Sequence, residues 1–133
     1  MCGFAGIFDP NNELDINSIK NYSYEMASAL LHRGPDSDGL WYSDNIAIAH
    51  RRLAIQDLSN AGNQPMISQK YKTMMMFNGE IYNYKELKAD LIKKGVKFNS
   101  NNSDSEVLLL GLSHYGVKFI DRLIGQFSIV FFD

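Results

Sequence analysis

The opening residues Met1-Cys2-Gly3 place the only cysteine of the chain directly behind the initiator methionine. The small side chain of Cys2 lets that methionine be removed, and the sole thiol then shares a residue with a free α-amino group. An α-amine ordinarily titrates at about 7.7 to 8.0 and a thiol near about 8.5, so one residue supplies general base and nucleophile together. That is the N-terminal form of nucleophile-plus-base covalent catalysis. The plain alternative is a small hydrophobe packed near a terminus.

Other residue types with chemical capacity say less by themselves. His32, His50 and His114 are too scattered for metal-ligand spacing, and neither CxxC nor HExxH occurs, so no metal is assigned. Gly34, Gly39 and Gly62 do not form a phosphate-cradling motif. Asn78-Gly79 is the commonest short hairpin-turn signal, although a helix start follows it. An acid such as Asp104 in the first turn of a helix suits the helix dipole with no ligand at all. Arg51 and Arg52 stand together at a strand end; if the strand continues, Arg52 shares a face with Ile48 and His50 while Arg51 points the other way.

The elements that must position these groups follow from periodicity and punctuation. "GFAGIF" is a short, mostly apolar strand closed by the turn signal "DPNN". Ile19, Tyr22, Met26, Ala29 and Leu30 recur at helical spacing, which predicts a helix from about Ile16 to His32, capped by Asp15 or Asn17 and stopped by Gly34-Pro35. "LWYSDNIAIAHRRLAI" predicts two strands turned at Ser43-Asp44-Asn45. "SNAGNQP" is loop, and "YKTMMMF" is a buried strand whose methionines are adaptable core filler.

Asn83 with Glu86, and Ser103 with Glu106, carry capping-box spacing ahead of two further helices. Phe119, Ile120 and Leu123 suggest a short helix, and "QFSIVFF" is a strand. Consecutive strands mixed with helices favour an α+β fold with a largely antiparallel sheet over βαβ alternation.

A chain of 133 residues fits one domain with a real core. A formal charge of -2 with pI near 5.9 leaves no basic patch, so no nucleic-acid partner is expected. No apolar run approaches the roughly 18 residues of a membrane span, and no membrane partner is expected. A lone cysteine fits a reducing compartment, with cytoplasm the default.

Four blocks stand in order along the chain: "MCGFAGIFD"; "HRGPDSDG"; "AHRRLAIQDLSNAGNQPM" with "FNGEIYNY"; and "SDSEVLL" with "LIGQFSIVFFD". Together, from the first residue to the last, they resemble the glutaminase domain of class II glutamine amidotransferases, of the kind found in glutamine-hydrolysing asparagine synthetases. The resemblance implies an N-terminal-nucleophile hydrolase fold, two stacked and largely antiparallel sheets between helical layers. It also implies a reaction, glutamine amide to glutamate plus ammonia through a thioester on Cys2.

Carried onto this chain, the resemblance places oxyanion donors at the Asn78 side-chain amide and the Gly79 backbone N–H. Such donors are usually the largest single catalytic term. The glutamine α-carboxylate falls to Arg52 rather than Arg51, since the guanidinium fork pairs bidentately with a carboxylate. Backbone groups of Leu53, Ala54, Ile55 and Gln56 line the same pocket in the family. Asp104 is matched to the α-ammonium, Glu80 to a supporting or backbone contact, and "HRGPD" to shaping the loop beside the site.

The resemblance further implies a single amidotransferase domain over residues 1–133, incomplete at its C-terminal end, with the ATP-dependent synthetase domain of the family absent. No cofactor is expected in this domain, and ATP and magnesium belong to the missing one. Glutamine is the expected substrate, and homo-oligomerisation stays open. Three functional readings remain. The first is ammonia supply to an asparagine-synthetase-like domain, in asparagine biosynthesis. The second is ammonia supply to a sugar-phosphate or phosphoribosyl acceptor. The third is a catalytically silent glutamine-binding or interaction domain.

Overall fold

The computed structural model of the chain describes residues 2–54 and 62–133. They form two compact units, the first comprising the described residues up to Ala54 with Asn63–Pro65, the second Gly62 with Met66–Asp133. Each holds one antiparallel three-stranded sheet with helical cover, as an α+β chain should. Among the described residues no helix is long and apolar enough to cross a membrane.

The first unit consists of β1 (Gly3–Phe8), α1 (Ile16–Ser28), β2 (Ser37–Ser43) and β3 (Ile46–Arg52), with β3 central in the order β1-β3-β2. Phe4 lies opposite His50 and Gly6 opposite Ile48, while Gly39 pairs with His50 on the other side and Ser37 with Arg52. Alternation therefore puts Ile48, His50 and Arg52 on one face of β3, and Ala47, Ala49 and Arg51 on the other. Helix α1 covers the second face. Its buried positions Ile19, Ser23 and Ala27 recur every fourth residue, and Ser23 Oγ donates to the Ala47 carbonyl at 2.8 Å.

Asp15 caps α1, accepting from the N–H groups of Asn17 at 2.9 Å and Ser18 at 3.1 Å. The helix ends at Ser28, earlier than its apolar spacing predicts. Beyond it, Leu30, Leu31 and Arg33 donate to carbonyls three residues back, so the chain tightens toward the Gly34-Pro35 stop instead of continuing as α-helix.

The second unit consists of β4 (Met66–Ser68), β5 (Thr73–Ile81), α2 (Tyr84–Lys93), α3 (Asp104–Tyr115), a 3-10 helix at Gly116–Arg122, and β6 (Gly125–Phe132), with sheet order β4-β5-β6. Met75, Phe77 and Ile81 of β5 join Leu87 and Leu91 of α2, Val107, Leu108 and Leu112 of α3, and Phe119 in one buried cluster. Met74, Met75 and Met76 are all buried, as core filler should be. The Phe119 ring sits where any side chain at Gly111 would stand.

Four local readings of the sequence change. The segment after "SNAGNQP" contains β4, a strand of only three residues held by pairing to β5. Asn78-Gly79 is no turn: both residues lie inside β5, paired with Ser128 and Phe127 of β6. Asn83 precedes α2 but makes no side-chain cap. Its amide instead donates to the Arg122 carbonyl at 3.0 Å and accepts from Ile124 N–H at 3.0 Å, where a longer-range pair of partners outcompetes the local one. Ser103 does cap α3, accepting from Glu106 N–H at 3.1 Å. The Glu106 carboxylate does not complete a capping box. It accepts from the backbone of Asn99 at 2.7 Å and Ser100 at 2.8 Å, holding the chain that leads into α3.

Candidate active site

Cys2 lies just before β1, one step beyond the Gly3–Arg51 pair, so it follows the register toward the end of β3. Its thiol meets the main chain of Leu53 twice: Leu53 N–H donates to Sγ at 3.4 Å, and Sγ–H has the Leu53 carbonyl as acceptor at 3.6 Å. The carbonyl of Cys2 accepts from Arg33 Nε at 3.3 Å. The residue holding the nucleophile candidate is thus fixed through both its side chain and its backbone, by contacts 51 and 31 residues away in sequence.

The main chain that seats the thiol is itself pinned by "HRGPD". Asp36 N–H donates to the Arg52 carbonyl at 3.0 Å, and the Asp36 carboxylate accepts from Ala54 N–H at 2.7 Å. Gly34 packs against the same strand end so closely that a Cβ there would stand 2.4 Å from Arg51 C and 2.6 Å from Arg52 N. The loop-shaping role expected of this block is therefore exerted on residues 51–54, through a glycine with no room for a side chain and an aspartate that brackets Leu53.

The two arginines separate as the strand alternation requires, because β3 runs through Arg52. Arg51 turns to α1: its guanidinium donates to the Ala27 carbonyl at 3.4 Å and Ser28 Oγ at 3.3 Å, and lies 5.6 Å from the Tyr24 ring centre. Arg52 is 8% exposed on the opposite face, and Nη1 donates to Asn63 Oδ1 at 2.7 Å. The structure brings Cys2, Arg52, Leu53 and Ala54 together at one end of the first unit; Ile55 and Gln56 lie outside the described residues.

The remaining site candidates gather in the second unit. Asn78, Gly79 and Glu80 are consecutive in β5, and Asp104 at the start of α3 reaches their strand, accepting from Ile81 N–H at 3.1 Å. Burial raises the Asp104 carboxyl above its ordinary value. The Ile81 hydrogen bond opposes that shift, and the charge of nearby Glu80 adds to it. Gly79 stands at φ +151°, and a Cβ there would lie 2.2 Å from the Gln126 carbonyl oxygen and 2.6 Å from Phe127 Cα. The main chain of β6 alone therefore requires a glycine at position 79, independently of any substrate.

Arg33, Asp36 and Asn63 complete this picture and were not singled out individually by sequence reasoning. All three stood inside recognised blocks, Asn63 in the part of its block that reads as loop.

Comparison with known proteins bears on the whole chain. The family described as "Glutamine amidotransferase domain" matches residues 1–133. Asparagine synthetase [glutamine-hydrolyzing] 1 of Bacillus subtilis is 38% identical over 130 residues, covering 98% of this chain and 20% of that protein. Asparagine synthetase B of Escherichia coli is 37% identical over 134 residues, all of this chain and 23% of that protein. The Zea mays asparagine synthetase is 42% identical over 134 residues, covering 22% of its length. The chain thus spans about a fifth of the curated relatives it matches. A solved structure of the glutamine phosphoribosylpyrophosphate amidotransferase from B. subtilis, complexed with ADP and GMP, superposes with TM-score 0.71 at 20% identity. It covers 98% of this chain and 34% of the other, a likeness of fold.

Proposed function

The chain belongs to the glutamine amidotransferase domain family, and on that premise we propose that it hydrolyses the side-chain amide of glutamine through a thioester on Cys2. The observation that carries the reading is the seating of the sole thiol on the Leu53 main chain, beside the strand end that bears Arg52.

In this reading the initiator methionine is removed and the α-amine of Cys2 takes the thiol proton as sulfur attacks the amide carbon. Asn78 and Gly79 donate to the oxyanion. The amide nitrogen takes a proton and leaves as ammonia, and water then cleaves the thioester to glutamate, regenerating the thiol. Arg52 pairs with the substrate α-carboxylate, Asp104 with its α-ammonium, and Glu80 supports the β5 segment. The Leu53–Gln56 main chain lines the pocket.

The identities to asparagine synthetases favour, as the destination of the ammonia, a synthetase part of a longer cytoplasmic protein, where ATP and magnesium would act. The experiment is intact mass before and after treatment with a glutamine-mimicking diazoketone, alongside ammonia release by parent and Cys2→Ala. We expect a chain lacking Met1, a single adduct on Cys2, and loss of ammonia release in Cys2→Ala with the far-UV spectrum retained. Ammonia release unchanged in Cys2→Ala would defeat the mechanism, and a retained Met1 would remove the proposed base.

A further inference from the structure

We infer that Asp104 is a positioning residue for the Gly79 oxyanion donor as well as a partner for the substrate ammonium, because its hydrogen bond to Ile81 N–H fixes the edge of β5 that faces away from β6. The inference rests on the proposed roles of Gly79 and Asp104.

The direction of each N–H in β5 follows from the ladder. In an antiparallel pair, residues that exchange hydrogen bonds alternate with residues that do not. Tyr82 N–H donates to the Ile124 carbonyl at 2.7 Å, one step beyond the Ile81–Gly125 pair, so the Tyr82 main chain faces β6. Counting back by twos, Glu80 and Asn78 face Gln126 and Ser128, while Ile81 and Gly79 turn their N–H groups to the opposite edge. The Ile81 contact agrees with this count, since its N–H meets Asp104 Oδ2 at 3.1 Å. On that edge β4 pairs with Thr73, Met74 and Met75, and Gly79 lies beyond its reach.

Asp104 holds the edge where β4 has ended. It opens α3, whose first turn is capped by Ser103 and whose Val107, Leu108 and Leu112 share the buried cluster with Ile81. Both carboxylate oxygens are engaged, Oδ2 by Ile81 N–H and Oδ1 by Ser105 Oγ at 3.3 Å. A carboxylate offers about four lone-pair sites, so it can accept from an ammonium beside these two bonds. Ile81 and Gly79 are two positions apart on one edge. The bond that ties Ile81 to α3 therefore also steadies the Gly79 N–H, and an oxyanion donor acts through such preorganisation.

The test compares parent, Asp104→Asn and Asp104→Ala in steady-state kinetics with L-glutamine, with far-UV spectra and melting temperatures confirming folding. Both substitutions remove the charge that pairs with the ammonium, so both should raise KM. Only the asparagine keeps an oxygen for Ile81 N–H. Deleting an oxyanion donor costs about a hundredfold or more in kcat, and a donor that is present but unsteadied costs less, so kcat should be about tenfold lower in Asp104→Ala than in Asp104→Asn. A role in ground-state binding alone would leave the two kcat values alike. In amide NMR spectra the Gly79 resonance should move together with that of Ile81 in Asp104→Ala, and less in Asp104→Asn.

Equal kcat in the two variants overturns the inference, as does a Gly79 amide that keeps its parent resonance in Asp104→Ala. Should Asp104→Ala fail to fold, amide hydrogen exchange in the parent decides: a protected Ile81 N–H supports the inference, and one that exchanges like an open amide overturns it. A parent KM for glutamine in Asp104→Asn removes the ammonium reading, and with it the claim that one carboxylate serves both ends. Ammonia release that survives Cys2→Ala removes the amidotransferase reading itself. Cysteine-dependent release in the parent, beside equal kcat in the two Asp104 variants, removes this inference alone.

Discussion

Gly79→Ala separates two reasons for a glycine, conformational freedom and close approach. At φ +151° a side chain at position 79 would be strained, and its Cβ would also stand 2.2 Å from the Gln126 carbonyl oxygen and 2.9 Å from Phe127 Cβ. Gly95 offers the matched control within the same unit, with φ +82° and nothing within 4 Å of the place a Cβ would take. A left-handed backbone costs a non-glycine residue about 1–2 kcal/mol. Overpacking adds about 1–3 kcal/mol, toward the upper end here because the obstacle is the main chain of β6, which no side-chain rotation can move.

Gly95→Ala should therefore cost about 1–2 kcal/mol and Gly79→Ala about 3–4 kcal/mol. Against a typical total of about 5–15 kcal/mol, the second is a large fraction. The assay is urea unfolding followed by far-UV circular dichroism. With a slope of about 1.5 kcal/mol per molar, the midpoint should fall by roughly 2–2.7 M for Gly79→Ala and by about 0.7–1.3 M for Gly95→Ala. Equal shifts for the two variants would refute the argument that the approach of β6, beyond the backbone angle, demands glycine at position 79. The alanine keeps its N–H, so activity lost only in step with folding would leave the proposed donor role intact.

The arginine pair gives a second prediction. Arg52→Ala should raise KM for glutamine by about a hundredfold, since a hydrogen bond to a charged group contributes about 1.5–3 kcal/mol. Arg51→Ala should leave KM within about threefold and lower the unfolding midpoint, because Arg51 binds Ala27, Ser28 and Tyr24; equal losses of KM would sink the strand-face assignment. Asp104→Asn tests the raised carboxyl. Burial penalises the ionised form in the folded state, so the penalty is complete above the raised folded pKa and gone below the ordinary value of about 3.9. The asparagine keeps an oxygen for Ile81 N–H and loses the buried charge. It should be at least as stable as parent at pH 7, with the gap closing as pH falls through the carboxylate range, and it should bind glutamine more weakly. A parent clearly more stable than Asp104→Asn at pH 7 would contradict the burial argument.

What could be read in advance was whatever has a short period. The alternation of β3 assigned Arg51 and Arg52 to opposite faces, and the apolar spacing from Ile19 identified helix α1, although the buried face runs through Ser23 and Ala27 while Tyr22 and Met26 of the expected stripe are exposed. Signals that weigh one local option against a distant one failed. Asn78-Gly79 has the composition of a turn, and only its pairing with Ser128 and Phe127, far along the chain, holds it in a strand. Asn83 has the spacing of a cap, but Arg122 and Ile124 take its amide. Strand β4 is too short to carry a pattern and exists through its partner.

The candidate site shows the same division more sharply. The thiol is seated by the backbone of Leu53, so the identity of residue 53 carries no trace of the contact. What carries it is the block that precedes β2: Asp36 binds the main chain on both sides of Leu53, and Gly34 leaves the strand end the room it occupies. Those residues are recognisable as a motif because the main-chain geometry tolerates few replacements. The partner they hold is invisible there, because nothing in "HRGPD" says which backbone it must bind. Asn63 is the opposite case. It lies in the loop-like part of "AHRRLAIQDLSNAGNQPM", where composition assigns no role to any single residue, yet its amide meets Arg52 directly, at the strand end beside the thiol.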